Sequence, residues 1–377
     1  MNEFMRIGDI CNILNGYAFK SSKYVADGIR VIRITNVQKG FVEDTNPQYY
    51  PVSEQREIEK YMLCEGDLLM SLTGNVGRVG LLSAEMLPAA LNQRVACIRI
   101  RNPAVIYKPF LFHLLNSDYF ENKCILASQG VAQKNMSTEW LKEYPIPSFS
   151  MDKQMEIASI FDKIDDLIAR RKEQVRNMDQ AVKSRFIELF GDPETNPKGW
   201  TRQRLDQICE NLDSRRVPIT STNRKAGNYP YYGASGIVDY VKDYIFDEDI
   251  LLISEDGANL VMRSTPIAFS VSGKVWVNNH AHVVRFESKA TQKYIEICFA
   301  LTDISGSITG TAQPKLNQAK LNAMMFCVPP IELQEQFATF VKQTDKSKYY
   351  SSLSFRYCQA AANTYRQEWM TCRTSDF

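Results

Sequence analysis

The chain has 377 residues, of which 44% are hydrophobic, 23% charged and 11% aromatic, and its formal net charge is +2. Wholesale disorder is excluded because enough apolar material is present to bury a core. A single core seldom grows beyond about 250–300 residues, so more than one domain is expected. The near-neutral balance means that nucleic-acid binding must come from local basic surfaces and not from a globally basic chain. The nine cysteines show no Cys-x-x-Cys spacing and read as reduced core thiols, so neither a metal nor a cofactor is expected. Met1 to Cys11 lacks a basic-then-apolar leader, and no run of about 18 uncharged apolar residues occurs, so a cytoplasmic location away from membranes is expected.

In chain order, residues 1–150 read as a first mixed α/β domain, with strands at Val31–Ile34, Asp67–Leu72 and Val95–Ile100 and a helix at Tyr107–Tyr119. Residues 151–190 contain no proline or glycine and stop at Gly191-Asp192-Pro193, which predicts a helix about 60 Å long. Along it Ile157, Ile164, Arg171, Met178 and Arg185 alternate at steps of three and four with Phe161, Ile168, Val175, Val182 and Leu189. A 3.5-residue repeat sustained this long keeps one stripe facing a partner helix, so a coiled-coil spacer is expected. Arg171 and Arg185 in the seam either fix register, face a partner or snorkel at its edge. Asp162, Asp165, Asp166, Lys172 and Glu173 read as a solvated face. Residues 191–200, with Pro193, Pro197 and Gly199, form a hinge.

A second mixed domain is expected over 201–330, with strands at Ile250–Ile253 and Ala281–Phe286 and a helix at Gln292–Leu301. An internal repeat supplies the partner helix at 331–377. At an offset of 180, Gly130, Ala132, Gln133, Leu141, Gln154, Ala158 and Asp165 recur as Gly310, Ala312, Gln313, Leu321, Gln334, Ala338 and Asp345. The repeated seam falls on Phe337, Val341, Thr344, Lys348, Ser351, Phe355, Cys358, Ala362, Tyr365 and Trp369. Its polar middle and its Ser, Tyr and Thr content lower helix propensity, so regular helix is expected chiefly over its first two turns. Ile7, Ile10, Cys11 and Leu14 likewise match Leu205, Ile208, Cys209 and Leu212.

A reader of duplex DNA needs Lys and Arg for phosphates and Asn, Gln, Arg or Ser for base edges. Candidates in the first half are Lys20, Arg33, Asn36, Asn75, Arg78, Asn92, Gln93 and Arg94, at strand ends or in glycine-bearing loops. In the second half they are Arg215, Arg216, Arg224, Lys225, Tyr232, Ser235, Asn259, Arg263, Lys274, Asn278, Asn279 and His280. Gln133, Lys134, Gln313 and Lys315 belong to the repeated glycine-bearing segments, which read as shared architecture with backbone contact. Each of these residues taken alone also fits an ordinary solvated surface. His280 and His282 share a strand face but have no adjacent Cys or acid to complete a ligand set.

Enzyme signatures fail. Asn46-Pro47-Gln48-Tyr49 departs from an Asn-Pro-Pro-Tyr methyltransferase motif at the third place, no Gly-x-Gly cofactor loop follows a strand, and Gly273-Lys274 lacks an upstream glycine because Ala268 stands there. No catalytic residue is therefore assigned.

Several motifs carry a resemblance across nearly the whole chain. They are Asn15-Gly16-Tyr17-Ala18-Phe19-Lys20-Ser21, Gly66-Asp67-Leu68-Leu69, Gly130-Val131-Ala132-Gln133-Lys134-Asn135-Met136-Ser137 and the Pro145-Ile146-Pro147 step. In the second half they are Tyr231-Tyr232-Gly233-Ala234-Ser235-Gly236, Asp249-Ile250-Leu251, Thr309-Gly310-Thr311-Ala312-Gln313-Pro314-Lys315-Leu316 and Pro329-Pro330-Ile331-Glu332-Leu333-Gln334. In this order, twice, they resemble the specificity subunit of type I restriction-modification enzymes. The resemblance implies an α+β architecture in which two long antiparallel coiled-coil helices separate two mixed α/β target-recognition domains, each reading half of a gapped duplex DNA site. It also implies partners: two modification subunits that methylate adenine, and motor-nuclease restriction subunits. The composition from Lys348 onward departs from the Leu/Glu/Lys-rich helix usual in that family. Competing readings are a degenerate DNA methyltransferase or nuclease, and a coiled-coil scaffold that does not bind DNA.

Overall fold

The computed structural model describes residues 4–128, 136–310 and 312–371. It divides into two units, Met1–Lys172 with Leu353–Phe377, and Glu173–Ser352.

The first unit contains eight strands that position its loops: β1 (Cys11–Asn15), β2 (Ile29–Ile32), β3 (Gly40–Phe41), β4 (Tyr49–Tyr50), β5 (Leu68–Ser71), β6 (Val79–Leu81), β7 (Ala89–Leu91) and β8 (Val95–Ile100). They form one sheet in the order β1-β8-β5-β6-β3 and another in the order β4-β2-β7, in which β2 and β7 run parallel. β5 and β8 are near-continuous apolar runs because both faces are covered. One face packs on Phe110, Leu111, Leu114 and Phe120, and the other on Ile32, Val37, Leu63 and Leu91. The single helix expected at Tyr107–Tyr119 is instead two, α1 (Lys108–Leu115) and α2 (Asp118–Ala127). Ser117 causes the break: its hydroxyl donates back to Leu114 O at 2.6 Å and accepts from Phe120 N at 3.1 Å, capping the next helix.

The helix α3 spans Met151–Phe190. In the second unit β9 (Glu210–Asn211), β10 (Ala226–Gly233), β11 (Gly236–Val241), β12 (Phe246–Asp247), β13 (Ile250–Ser254), β14 (Ala268–Val271), β15 (Lys274–Val277) and β16 (Ala281–Arg285) repeat the plan. One sheet runs β9-β16-β13-β14 and the other β11-β10-β15-β12, and β10 is parallel to β15 as β2 is to β7. α4 (Lys289–Leu301) covers the first of these sheets through Tyr294, Ile295, Cys298 and Phe299. It begins one turn before the Gln292 expected from sequence because Ser288 caps it, accepting from Ala290 N.

The last helix, α5, is continuous over Ile331–Thr371, so the expected weakness of its final turns is corrected. Its hydroxyls do not compete with the helix, because Thr344, Ser347 and Thr364 each donate to a carbonyl four residues back. Packing supplies the rest. Within the first unit, α5 antiparallels α3 through Arg366, which holds both Asp165 oxygens at 2.7 Å and lies 5.0 Å over the Phe161 ring. Within the second, Phe337 meets Phe186 and Phe190 edge-on, with centroids 5.5 and 5.4 Å away, and Lys348 binds Asp179.

On α3 the heptad positions Ile157, Phe161, Ile164, Ile168, Arg171, Val175, Met178, Val182, Arg185 and Leu189 are all buried or half-buried. On α5 the seam holds at Phe337, Val341, Ser351 and Ala362. It then slips by one residue, since Tyr365 is 43% exposed and Arg366 takes the buried place. The face expected to be solvated is exposed at Asp162, Asp166, Lys172 and Glu173, although Asp162 lies 2.8 Å from His113, while Asp165 is half-buried and held by Arg366. Arg185 pairs with Glu188 on its own helix at 2.8 Å, which fits an arginine head leaving the seam.

Among the described residues all eight cysteines are free, no helix is long and apolar enough to cross a membrane, and no group of three or more His, Cys, Asp or Glu is placed to hold a metal.

Candidate nucleic-acid interface

In the first unit the chain segments that leave β1, β2, β5 and β7 are tied to one another by backbone hydrogen bonds. Tyr17 N donates to Leu91 O at 2.8 Å, Gln93 N to Tyr17 O at 2.9 Å, Asn92 N to Ile32 O at 3.2 Å and Leu72 N to Arg94 O at 3.0 Å. The knot exists because Gly16 has no side chain: a Cβ there would lie 2.2 Å from the Asn92 carbonyl. That close approach explains why glycine follows Asn15 in the Asn-Gly-Tyr motif. The loops so gathered carry Lys20, Arg33, Asn75, Asn92, Gln93 and Arg94, and Lys20, Asn75, Gln93 and Arg94 are exposed.

Other residues singled out from sequence are engaged inside the fold. Asn36 is 2% exposed and clamps its own loop, accepting from Arg33 N at 3.0 Å and donating to Glu43 O at 3.1 Å. Arg33 donates to Asn46 O at 2.6 Å, and Arg78 to Gln38 Oε1 at 2.8 Å. The Gly130–Asn135 segment, with Gln133 and Lys134, lies outside the described residues; Met136 just after it donates to Leu72 O at 2.9 Å.

The second unit repeats the knot at the matching strand ends. Asn278 N donates to Tyr232 O at 3.0 Å, Glu255 N to His280 O at 2.9 Å and Leu316 N to Glu255 O at 2.8 Å. A cleft of about 750 Å³ opens there between Arg224, Ser235, Asn259, Asn278, Asn279 and His280, with Asp256 on its wall. Six residues chosen from sequence are thus brought together.

The turns before β8 and β16 are built alike: Asn92 Oδ1 accepts from Arg94 N at 3.2 Å, and Asn278 Oδ1 from His280 N at 2.8 Å. Between and after these two asparagines the side chains differ, Gln93 and Arg94 against Asn279 and His280. Gly310 also serves the backbone, since at φ +80° a Cβ would meet Gln313 O at 2.5 Å.

Arginines of the second unit divide by role. Arg216 is mostly buried and bonds Glu255 at 2.6 Å and Ala281 O at 2.8 Å, while Arg263 ties Phe299 O and Thr302 O at 2.9 and 2.7 Å. Arg224 lies 4.5 Å over the Tyr231 ring, and Arg215 lies 4.6 Å over Phe246 while pairing with Glu248. Asn259 accepts from Thr265 N at 3.0 Å and so braces the following loop. Lys225, Lys274, Ser235, Asn279 and Gln313 are exposed, Tyr232 is half-buried, and Lys315 reaches Glu255 at 3.0 Å.

Acids were missed by the sequence reading. Asp256 lies 2.9 Å from His280, and Asp213 lies 2.6 Å from His282, so both histidines have acid partners, brought from 24 and 69 residues away. Burial alone would raise the Asp213 carboxyl, but the His282 bond holds it below the usual carboxylate range. Glu255 is held low in the same way by Arg216 and Lys315. No local motif announces these pairings.

Comparison with known proteins agrees with the doubled plan. Residues 2–177 and 197–349 match the model of the type I restriction modification DNA specificity domain. A putative type I restriction enzyme specificity subunit of Haemophilus influenzae is 33% identical over 132 residues, 35% of this chain and 34% of that protein. The EcoAI specificity subunit of Escherichia coli is 33% identical over 171 residues, 44% of this chain and 28% of that protein. These two matches therefore span about a third of the relatives' lengths. The putative MjaX specificity subunit of Methanocaldococcus jannaschii is 26% identical over 91% of this chain and 86% of its own. In fold, the crystal structure of a type I restriction-modification S subunit from M. genitalium superposes with a TM-score of 0.55 at 14% identity, covering 97% of this chain and 95% of that one. The family model covers well over half of the chain, in two copies that each include one of the two knots, and the chain belongs to the type I restriction-modification DNA specificity family.

Proposed function

We propose that this chain is a DNA-reading subunit that does no chemistry itself: each domain reads one half of a bipartite, gapped duplex site. Two methyltransferase subunits and the restriction subunits dock on it and supply methyl transfer and cleavage. The supporting observation is the pair of loop knots, alike in backbone and unlike at their tips, Asn92-Gln93-Arg94 against Asn278-Asn279-His280. A shared backbone frame with divergent side chains is what two readers of different half-sites require.

In this reading the exposed cations Lys20, Arg94, Lys225 and Lys274 meet phosphates, with Lys134 and Lys315 beside the repeated glycines. Asn75, Gln93, Ser235, Asn279 and His280 address base edges, while Gln133 and Gln313, identical in the two repeats, contact the DNA backbone. Buried Asn36 and half-buried Arg216 and Arg263 hold the loops instead of touching DNA. Each phosphate contact steepens the salt dependence of binding by about 0.9 in log–log slope.

Methylome sequencing tests the proposal. Cells expressing the chain with its partners acquire one gapped methylated motif, and replacing residues 1–150 with another member's first domain changes one half of that motif only. Simultaneous change of both halves, or methyl transfer by the purified chain alone, refutes it.

A further inference from the structure

Behind the Thr309–Leu316 motif of the second unit sits a nearly dry group of charges. His282 is 1% exposed; its Nδ1 lies 2.6 Å from Asp213 Oδ2 and its Nε2 lies 2.7 Å from the Leu316 carbonyl oxygen. A carboxylate and a peptide carbonyl only accept hydrogen bonds. A neutral ring would therefore face one of them lone pair to lone pair, whereas an imidazolium donates to both. Asp213 is engaged as an acceptor on its other oxygen too, taking Val283 N at 2.8 Å.

Charge balance leads to the same species. The side chains of Asp213, Glu255 and Arg216 are 5%, 12% and 13% exposed, giving two buried negative charges and one positive. Among the buried side chains alone, an imidazolium at His282 supplies the second positive charge, with the half-exposed Lys315 reaching Glu255 only from the surface, and unbalanced buried charge is expensive. The groups facing the ring are Asp213 and Arg216 from the turn after β9 and Glu255 from the end of β13. Lys315 reaches in from the surface to Glu255, and the Asp256–His280 pair lies further out.

We propose that His282 is held as an imidazolium whose second N–H latches the Leu316 carbonyl, so that the seating of the Thr309–Leu316 motif depends on this one proton. The motif is otherwise seated by the backbone bonds Leu316 N to Glu255 O at 2.8 Å and Gly257 N to Pro314 O at 3.0 Å, by a turn closed between Thr309 and Lys315, by the Lys315–Glu255 ion pair and by the buried Leu316 side chain. The latch belongs to the second domain only. In β8 of the first domain the register places Ala96 opposite Met70, where β16 places His282 opposite Ile253. His282 is thus a positioning residue for the exposed Gln313 tip, and its effect on DNA rests on the function proposed above.

The full chain has three histidines, His113, His280 and His282, so imidazole ¹⁵N labelling gives three rings to follow. The ring whose signal is absent from His282→Gln is that of His282, and at pH 7 we expect it to carry a proton on both nitrogens. As pH rises and this ring loses its proton, the amide protection factor at 315–316 should fall about ten- to hundredfold, while that of β14 stays constant. The Gln variant should show the low protection already at pH 7. A single protonated nitrogen on the His282 ring at pH 7, or protection that ignores loss of its proton, overturns the proposal. The wild-type titration decides alone if the variant does not fold. DNA retention is scored on the same sample: a chain that shows the latch but holds no DNA counts against the proposed function and leaves the latch standing.

Discussion

Replacing Gly16 by alanine tests whether the loop knot of the first domain is built on a missing side chain. A Cβ at this position would lie 2.2 Å from the carbonyl carbon and oxygen of Asn92 and 2.5 Å from Leu91 O. All three are backbone atoms, so relief requires the chain to move by about 1 Å or more. The two bonds that close the knot, Tyr17 N to Leu91 O and Gln93 N to Tyr17 O, do not survive such a shift at 2.8 and 2.9 Å. Their loss is worth about 0.5–1.5 kcal/mol each, and overpacking adds about 1–3 kcal/mol. The sum is about 2–6 kcal/mol, which for a unit of this size lowers the melting temperature by at least about 4 °C. Gly306 is the control, because nothing lies within 4 Å of its Cβ position. Gly306→Ala should stay within about 0.5 kcal/mol of the parent. Thermal unfolding followed by near-ultraviolet circular dichroism reads the difference, and half-site methylation reads whether the first half alone is lost. If Gly16→Ala melts with Gly306→Ala, the steric argument is wrong.

Three further outcomes follow from the helix contacts. Phe337→Ala removes a fully buried ring from the Phe186–Phe190–Tyr294 cluster and should destabilise the second unit by about 3–5 kcal/mol in urea unfolding; a loss below about 1 kcal/mol would show that the cluster collapses to fill the space. Arg366→Met strips Asp165 of a two-oxygen partner, and a double-mutant cycle with Asp165→Asn should return a coupling of about 1–3 kcal/mol. A coupling near zero would mean that solvent replaces the pair. Burial lowers the His113 pKa, an effect that Arg366 reinforces and Asp162 and Asp165 oppose. Because the folded value lies below the unfolded one of about 6.5, the neutral ring contributes stability above that pH and loses it as pH falls further. His113→Gln should therefore flatten the decline in urea midpoint between pH 7.5 and 5, and parallel profiles for the two proteins would count against this.

Much of the scaffold was legible because its determinants are local or periodic. The α3 seam could be read residue by residue, since a 3.5-residue repeat over five heptads leaves a partner helix as its physical outlet. The same rule placed most of α5, but propensity misjudged its last turns, where hydroxyls bond back along the helix and Arg366 displaces Tyr365 from the seam. Strand cores such as Val95–Ile100 stood out as apolar runs, whereas the break at Ser117 did not, because a serine reads equally as a helix surface or a cap.

The site divides along the same line. Sequence by itself determined that the chain carries a doubled plan, with glycine-bearing loops rich in Asn, Gln, Lys and Arg in both halves, because composition and repetition survive without coordinates. Only the tertiary structure decided which of those side chains face outward. Asn36 and Arg216 have the same chemistry as Gln93 and Arg94, yet the first pair is consumed by Glu43 O, Glu255 and Ala281 O while the second is exposed. It also joined His282 to Asp213 across 69 residues. Such pairings are set by strand register and loop closure, which depend on the whole sheet and leave no mark at either residue alone.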